Sequence, residues 1–236
     1  MKCLYPIAER ELFRFVLPVI NSNMYVLPAD GEALIVDPHV SVEAERLLAE
    51  GGTKRCTVLL THEHFDHISG VNRLRELYSC EVICTKDCAS ALVNPRRNAS
   101  KFFAALFLGR SEEEQETVKK YLDVEYRCEA DTTYEGELRL NWKGIELRLL
   151  AAQGHSLGGQ LIFAEGRCLF SGDNLVPGEK LITRLPGGNK DAYIEQTVPL
   201  LRALTGDTVV FPGHGEEGPL GSEAMQFALK ESLAHK

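Results

Sequence analysis

The chain predicts an α/β fold in which helices cover sheets, and three observations carry that expectation. Between residues 33 and 85 strand-like apolar runs alternate with helix-period segments, the pattern of strands joined by crossover helices. After residue 124 the apolar period returns to two, with short turns between the runs. The run Val58-Leu59-Leu60 is apolar at successive positions, as a strand buried on both faces must be. With 236 residues, 44% of them hydrophobic, the chain can bury a sizeable core.

The elements follow in order. Strands are expected at 12–17, 23–27 and 33–37, the last two joined by a turn at Pro28-Ala29-Asp30-Gly31. A helix from Ser41 to Glu50, with Val42, Leu47 and Leu48 as its apolar members, stops at Gly51-Gly52. It crosses to a strand at 56–60. A second helix at 69–77 presents Val71, Leu74 and Leu77, continuing a spacing of threes from Ile68, and leads to a strand at 81–84. The rhythm then breaks. Lys86 to Leu92 reads as helix, 94–98 as loop, and 101–108 as an apolar aromatic patch. Ser111 and Glu114 have capping-box spacing for one more helix.

Hairpins are expected for 138–142 with 145–149, around Lys143-Gly144, and for 160–164 with 168–171, around Glu165-Gly166-Arg167. A helix at 190–204 should bend or restart near Val198, because Pro199 cannot continue the hydrogen-bond ladder. A last strand at 208–211 and a closing helix from about Ser222 complete the chain. Trp142 reads as a packing residue and His235 as terminal surface.

Chemistry concentrates where the strand at 56–60 gives out, in Thr61-His62-Glu63-His64-Phe65-Asp66-His67. His62 and His64 are two apart, a spacing that sends both rings to one side of an extended chain, while Asp66 and His67 lie in the turn into the next helix. Histidine supplies only 7 of the 236 residues, so chance assembly of three at fixed places beside an aspartate falls below roughly one in a thousand. Imidazole and carboxylate together suit zinc, iron or manganese. No paired C-x-x-C is present to suggest a structural thiolate site.

The pattern His62-x-His64-x-Asp66-His67 resembles the defining motif of the metallo-beta-lactamase superfamily. Matches follow in the right order: His155 in Gly154-His155-Ser156, Asp173 in Ser171-Gly172-Asp173, and His214 in Pro212-Gly213-His214-Gly215. The resemblance implies a four-layer αβ/βα metallo-beta-lactamase sandwich spanning residues 1–236 as a single domain, with a helical insertion around 86–122. It also implies a two-metal site at one edge of the sheets. His62, His64 and His155 would hold one divalent ion, Asp66, His67 and His214 the other, and Asp173 would bridge them. Asp66 would also orient the attacking water, which makes it the catalytic residue. Zinc is the first expectation for the metals, with iron or manganese as alternatives.

The implied reaction is metal-dependent hydrolysis of a thioester or ester, in a layout closest to glyoxalase II-like members. The helical C-terminal domain of glyoxalase II itself has no counterpart after His214, so a generic thioester or ester hydrolase is expected. The alternatives are a lactonase or beta-lactamase-type amide hydrolase, a phosphodiesterase or ribonuclease, and a non-haem iron redox protein. Leu157 stands where relatives often carry proline after the Gly-His-Ser sequence. Asp37-Pro38-His39 departs from the family's Asp-Pro-Gly; Asp37 would support a ligand by accepting a ring N–H, and His39 would line the pocket or cap the next helix. Asn21-Ser22-Asn23-Met24-Tyr25 resembles a stretch of glyoxalase II-like members, although a hydrogen-bonded turn explains both asparagines equally well.

Net charge of -8 and a pI near 5.5 argue against a nucleic acid as the main partner and leave a small molecule as the expected substrate. Neither a signal peptide nor a run of about 20 apolar residues is visible, so no membrane span and a cytoplasmic location are expected. The seven scattered cysteines, Cys3, Cys56, Cys80, Cys84, Cys88, Cys128 and Cys168, read as free thiols, with the strand at 81–84 spreading Cys80, Cys84 and Cys88 apart. In the insertion, Phe102, Phe103, Leu106 and Phe107 have three readings: core packing, a lid over the pocket, or the contact face of a homodimer. Lys180 and Arg184, in a turn-rich loop, are candidates to meet a substrate carboxylate; Arg96 and Arg97 read as surface residues.

Overall fold

The computed structural model describes residues 2–3 and 6–233, without the side chains of Lys2 and Cys3. The expectation for His235, and Met1, Leu4 and Tyr5 of the N-terminal stretch, lie outside the described residues. The first sheet runs β1 (Lys2–Cys3), β2 (Phe13–Leu17), β3 (Ser22–Ala29), β4 (Glu32–Val36), β5 (Arg55–Leu59), β6 (Ser79–Thr85) and β7 (Thr132–Tyr134), in chain order. Its pairs are antiparallel as far as β4 and parallel from β4 to β7. The second sheet contains β8 (Glu137–Trp142), β9 (Ile145–Ala151), β10 (Gln160–Ala164), β11 (Cys168–Gly172), β12 (Val209–Pro212) and β13 (Gly218–Pro219). They lie side by side in chain order, with β11 and β12 parallel.

Strand periodicity explains how the layers form. In β4, Leu34 and Val36 face the second sheet while Ala33 and Ile35 face helices; in β10, Ile162 and Ala164 face the first sheet while Leu161 and Phe163 face helices. Both faces of each central strand are buried, so these strands read as continuous apolar runs rather than alternating ones. Helices α1 (Val42–Glu50), α2 (Phe65–Ile68), α3 (Val71–Leu77), α4 (Lys86–Leu92) and α5 (Glu112–Tyr121) cover the first sheet. Helices α6 (Lys190–Ala192), α7 (Val198–Arg202) and α8 (Glu223–Leu233) cover the second. The result is the four-layer αβ/βα sandwich. Among the described residues no helix is long and apolar enough to cross a membrane.

Several boundaries differ from the expectation for physical reasons. The β3–β4 turn is tighter than four residues: Asp30 and Gly31 take φ of 48° and 76°, a two-residue left-handed turn, so Pro28 and Ala29 stay in the ladder opposite Ala33 and Glu32. The helix expected at 69–77 is α3, starting at Val71, and the turn expected at Asp66 and His67 is itself one helical turn, α2. The two break near Gly70, where a Cβ would sit 2.7 Å from the His39 carbonyl carbon. Strand β7 carries only Thr132-Thr133-Tyr134, too short and polar to stand out in sequence. The helix at 190–204 contains a π-turn over Tyr193–Thr197, and α7 restarts at Val198 with Pro199 in its first turn.

The insertion divides its aromatic patch between two roles. Residues 100–107 form a 3-10 helix in which Phe103 and Phe107 are buried, while Phe102 is 51% and Leu106 41% exposed. Ser111 and Glu114 form the full capping box that opens α5. Phe65, directly beside the histidine cluster, ties the insertion down with edge-on contacts to Phe103 at 5.1 Å and Tyr126 at 5.4 Å. Phe65→Ala is therefore expected to cost about 3–5 kcal/mol, read as a lowered urea midpoint. An unchanged midpoint would refute this anchoring role.

Candidate metal centre

The sheets deliver their chemistry at one edge, where parallel strands end. Residues 62–67 follow β5, His155 follows β9, Asp173 follows β11 directly and His214 lies two residues beyond β12. Hydrogen bonds fasten the two sheets together there: Asn23 N to Gly213 O at 2.7 Å, and Gln160 N to Thr61 O at 2.8 Å. All seven residues singled out in the sequence converge at this edge. One set of donor atoms comes from His62, His64 and His155, and another from Asp66, His67 and His214, each set lying within 4.8 Å.

Asp173 faces both sets. Its Oδ2 lies 3.4 Å from His155 Nε2 and 3.4 Å from His214 Nε2, and its Oδ1 is 3.5 Å from His67 Nε2. Asp66 Oδ2 is 3.3 Å from His67 Nε2 and 3.4 Å from His214 Nε2. A tetrahedral ion with bonds of about 2.1 Å separates its ligand atoms by about 3.4 Å, so these spacings fit cation coordination better than direct pairing. Among the described residues the buried atoms His62 Nε2, His67 Nε2 and Asp173 Oδ1 have no hydrogen-bond partner. Buried polar atoms left open this way are rare in folded proteins, and two of them, His67 Nε2 and Asp173 Oδ1, face each other at 3.5 Å.

The surrounding chain sets which ring nitrogen is free. Asp37 accepts from Thr61 N at 2.7 Å, from Thr61 Oγ1 at 2.5 Å and from His67 Nδ1 at 3.1 Å. With its proton given to Asp37, Thr61 Oγ1 accepts from His62 Nδ1 at 3.1 Å. His64 Nε2 donates to Pro186 O at 3.1 Å and His214 Nδ1 to Ile20 O at 3.2 Å. The inward nitrogens are thus Nε2 of His62, His67 and His214 and Nδ1 of His64, the last only 2.9 Å from His155 Nε2. Asp37 also lies close to His62 and His67, but its bonds make it the orienting group that the sequence suggested.

Electrostatics separates the two sets. Burial holds the pKa of His62 well below its usual value, lowers that of His64, and brings His155 down to about 4, so all three rings are neutral and keep the lone pairs a metal requires. In the second set burial opposes every charge but loses. Asp66, Asp173 and Asp37 raise His67, while Asp173 and Asp66 raise His214 to about 10; in return the two rings hold Asp66 and Asp173 well below the carboxylate range. The carboxylates draw positive charge to this spot, which a cation would supply while displacing the ring protons.

Close packing enforces the turns. A Cβ on Gly213 would lie 2.1 Å from Asp173 Oδ1, and one on Gly172, at φ +51°, would lie 2.5 Å from Thr61 Oγ1. Asn23 Nδ2 donates to Pro212 O and Gly215 O, both at 2.9 Å, and Tyr25 OH to Pro212 O at 2.7 Å. The asparagine and tyrosine stretch therefore braces the His214 turn. His39 neither lines the main cleft nor caps α1, a role filled by Ser41; it is buried against the carbonyls of Val40 and Phe15.

A cleft of about 620 Å³ opens over the cluster, lined by His64, Asp66, His155, Asp173 and His214. The insertion contributes Leu106, Phe107, Arg110 and Glu114 to its wall, and Lys180 and Arg184 come from the opposite loop. Sequence reasoning missed Glu63, Asn174 and Arg14. Glu63 is 2% exposed and Arg14 6%, and charged side chains at such depth are seldom idle. Asn174 accepts from His155 N at 3.1 Å and donates to Ala152 O at 2.7 Å. Glu63 was legible only as the unspecified residue between two histidines, and burial was the missing signal.

Comparison with known proteins agrees with this geometry. The probable metallo-hydrolase YqgX of Bacillus subtilis (strain 168) is 29% identical over 88% of this chain and 91% of its own length. A hydroxyacylglutathione hydrolase of Rhodopseudomonas palustris (strain HaA2) is 26% identical over 68% of this chain and 51% of its own. The structure of TTHA1623 in a di-iron-bound form superposes with a TM-score of 0.67 at 26% identity, covering 89% of this chain and 95% of that one. The Metallo-beta-lactamase superfamily profile matches residues 17–214, a span that holds the whole cluster from His62 to His214, and the chain belongs to that superfamily.

Proposed function

We propose that this protein is a dinuclear metal-dependent hydrolase acting on a small-molecule thioester or ester. The observation that carries the reading is Asp173 facing both donor sets at 3.4–3.5 Å, the placement of a carboxylate shared by two cations. His62, His64 and His155 would hold one ion and Asp66, His67 and His214 the other. Two such ions, when bound, lower the pKa of coordinated water toward neutrality and polarise the scissile carbonyl. Zinc or iron fits the nitrogen and oxygen donors, and the di-iron-bound relative favours a pair.

The chain's own groups supply position. Asp66 turns Oδ2 to His67 and His214, which leaves its other oxygen to accept a hydrogen bond from the attacking water. Leu106 and Phe107 give one apolar wall of the cleft and exclude solvent from the acyl group; Lys180 and Arg184 at the other side suit an anionic end of the substrate. The size of the cleft, the net charge of -8 and the similarity to a hydroxyacylglutathione hydrolase support a small thioester over a phosphodiester.

Metal-loaded protein offered a panel of thioesters, lactones, beta-lactams and phosphodiesters should show its highest kcat/KM on a thioester or ester, by about tenfold or more, a gap of about 1.4 kcal/mol in the barrier. Preference for a phosphodiester or a beta-lactam would overturn the substrate assignment.

A further inference from the structure

Two buried charged side chains outside the donor sets each grip one of the turns that carry a histidine of the cluster. Glu63 accepts from Ser156 Oγ at 2.9 Å and from Gly158 N at 3.4 Å, so it holds the turn immediately after His155. The turn presses on it closely: a Cβ on Gly158 would meet Glu63 Oε2 at 2.6 Å and Cys88 Cα at 2.4 Å. Arg14, from β2, donates through Nη1 to Gly215 O at 3.0 Å and to Glu217 Oε2 at 2.9 Å, and through Nη2 to Glu216 Oε1 at 2.8 Å. It holds the turn immediately after His214. Neither side chain bonds to the turn held by the other.

We propose that Glu63 and Arg14 are positioning residues that latch the two metal positions separately, Glu63 the one served by His155 and Arg14 the one served by His214. The inference rests on the dinuclear reading above. The physical reason lies in the geometry of coordination. A histidine on a loose turn must be ordered when the ion binds, and that ordering cost falls on the affinity of the ion it serves. The bonds of Glu63 end on residues 156 and 158, and those of Arg14 on residues 215–217, so each acts on a different ion. The two latches differ in strength of grip. Arg14 makes three bonds through a planar fork, two of them to carboxylates, whereas Glu63 accepts two bonds from neutral donors.

The test titrates metal-free protein with Zn²⁺ against a chromophoric chelator and counts bound zinc by elemental analysis. Wild type should bind two equivalents. Arg14→Met should weaken one site by about 10–100-fold and leave the other near wild type, and Glu63→Ala should do the reverse, the range expected for loss of a group supporting a metal ligand. Arg14→Lys and Glu63→Gln, which keep part of each hydrogen-bond set, should recover part of the loss and secure the result if the larger changes unfold. Adding His214→Ala to Arg14→Met should weaken the affected site no further than His214→Ala alone, and the same should hold for Glu63→Ala with His155→Ala. Full additivity, or equal weakening of both sites by each variant, would overturn the separate latches. Wild type binding one equivalent would instead overturn the dinuclear reading, a result distinguishable because it needs no variant.

Discussion

Asp173→Ala is expected to lower kcat/KM on the best thioester or ester substrate by about a thousandfold, roughly 4 kcal/mol of barrier, and to leave less than the full complement of metal bound. Of the two aspartates in the donor sets and between them, Asp173 is the one that, among the described residues, lies within 3.5 Å of ring nitrogens from both sets: His155 on one side, His67 and His214 on the other. Its removal leaves the second set with Asp66 as the remaining carboxylate against His67 and His214, whose raised pKa depends on both aspartates. Asp173→Asn keeps the volume and removes the charge, so it separates coordination from packing. Its activity should fall nearly as far as that of the alanine variant. Near-wild-type turnover in Asp173→Asn, with both metals retained, would remove the bridging role.

Stripping the metals should lower the melting temperature by about 10 °C for each ion removed. An ion present at a thousand times its dissociation constant stabilises the folded state by about 4 kcal/mol, and a chain of this size shifts by about 2–4 °C per kcal/mol. The geometry gives the reason. The buried atoms His62 Nε2 and His67 Nε2 have no hydrogen-bond partner among the described residues, and His64 Nδ1 and His155 Nε2 converge to 2.9 Å, so an ion bound here would satisfy donors that the protein alone does not pair. The unfolded chain holds no such assembly, so the ion binds the folded state and its removal is felt in full. Scanning calorimetry before and after chelation, with recovery on adding Zn²⁺ back, measures the effect. Protein shown by elemental analysis to be metal-free yet melting at the loaded temperature would exclude these residues as the site.

Much of the cluster was legible because its chemistry is local in sequence. His62, His64, Asp66 and His67 share one turn, so residue type and spacing were enough to nominate them; His155, Asp173 and His214 each follow an apolar run and were nominated by the resemblance to the superfamily motif. The supporting side chains were not legible in the same way. Arg14 acts on residues about 200 positions away in the chain, at separations of 201–203, and Glu63 on residues 93 and 95 away. No local pattern records such a contact. The separation expected for Cys80, Cys84 and Cys88 was legible, because a strand and a helix divide them: Cys80 and Cys84 lie on β6 and Cys88 on α4, all free thiols.

The sequence by itself determined the strand runs, the capping box at Ser111 and the histidine and aspartate cluster at 62–67, because periodicity, hydrogen-bonding capacity and ligand chemistry belong to the residues themselves; His155, Asp173 and His214 were added by the resemblance to the superfamily motif. Only the tertiary structure decided that the two sheets, packed face to face, are fastened at their strand ends by Asn23–Gly213 and Thr61–Gln160, which ring nitrogen of each histidine is free, and that Asp173 stands between the two sets. Those depend on closing long loops against one another in a packed interior, where a charge takes its meaning from what surrounds it.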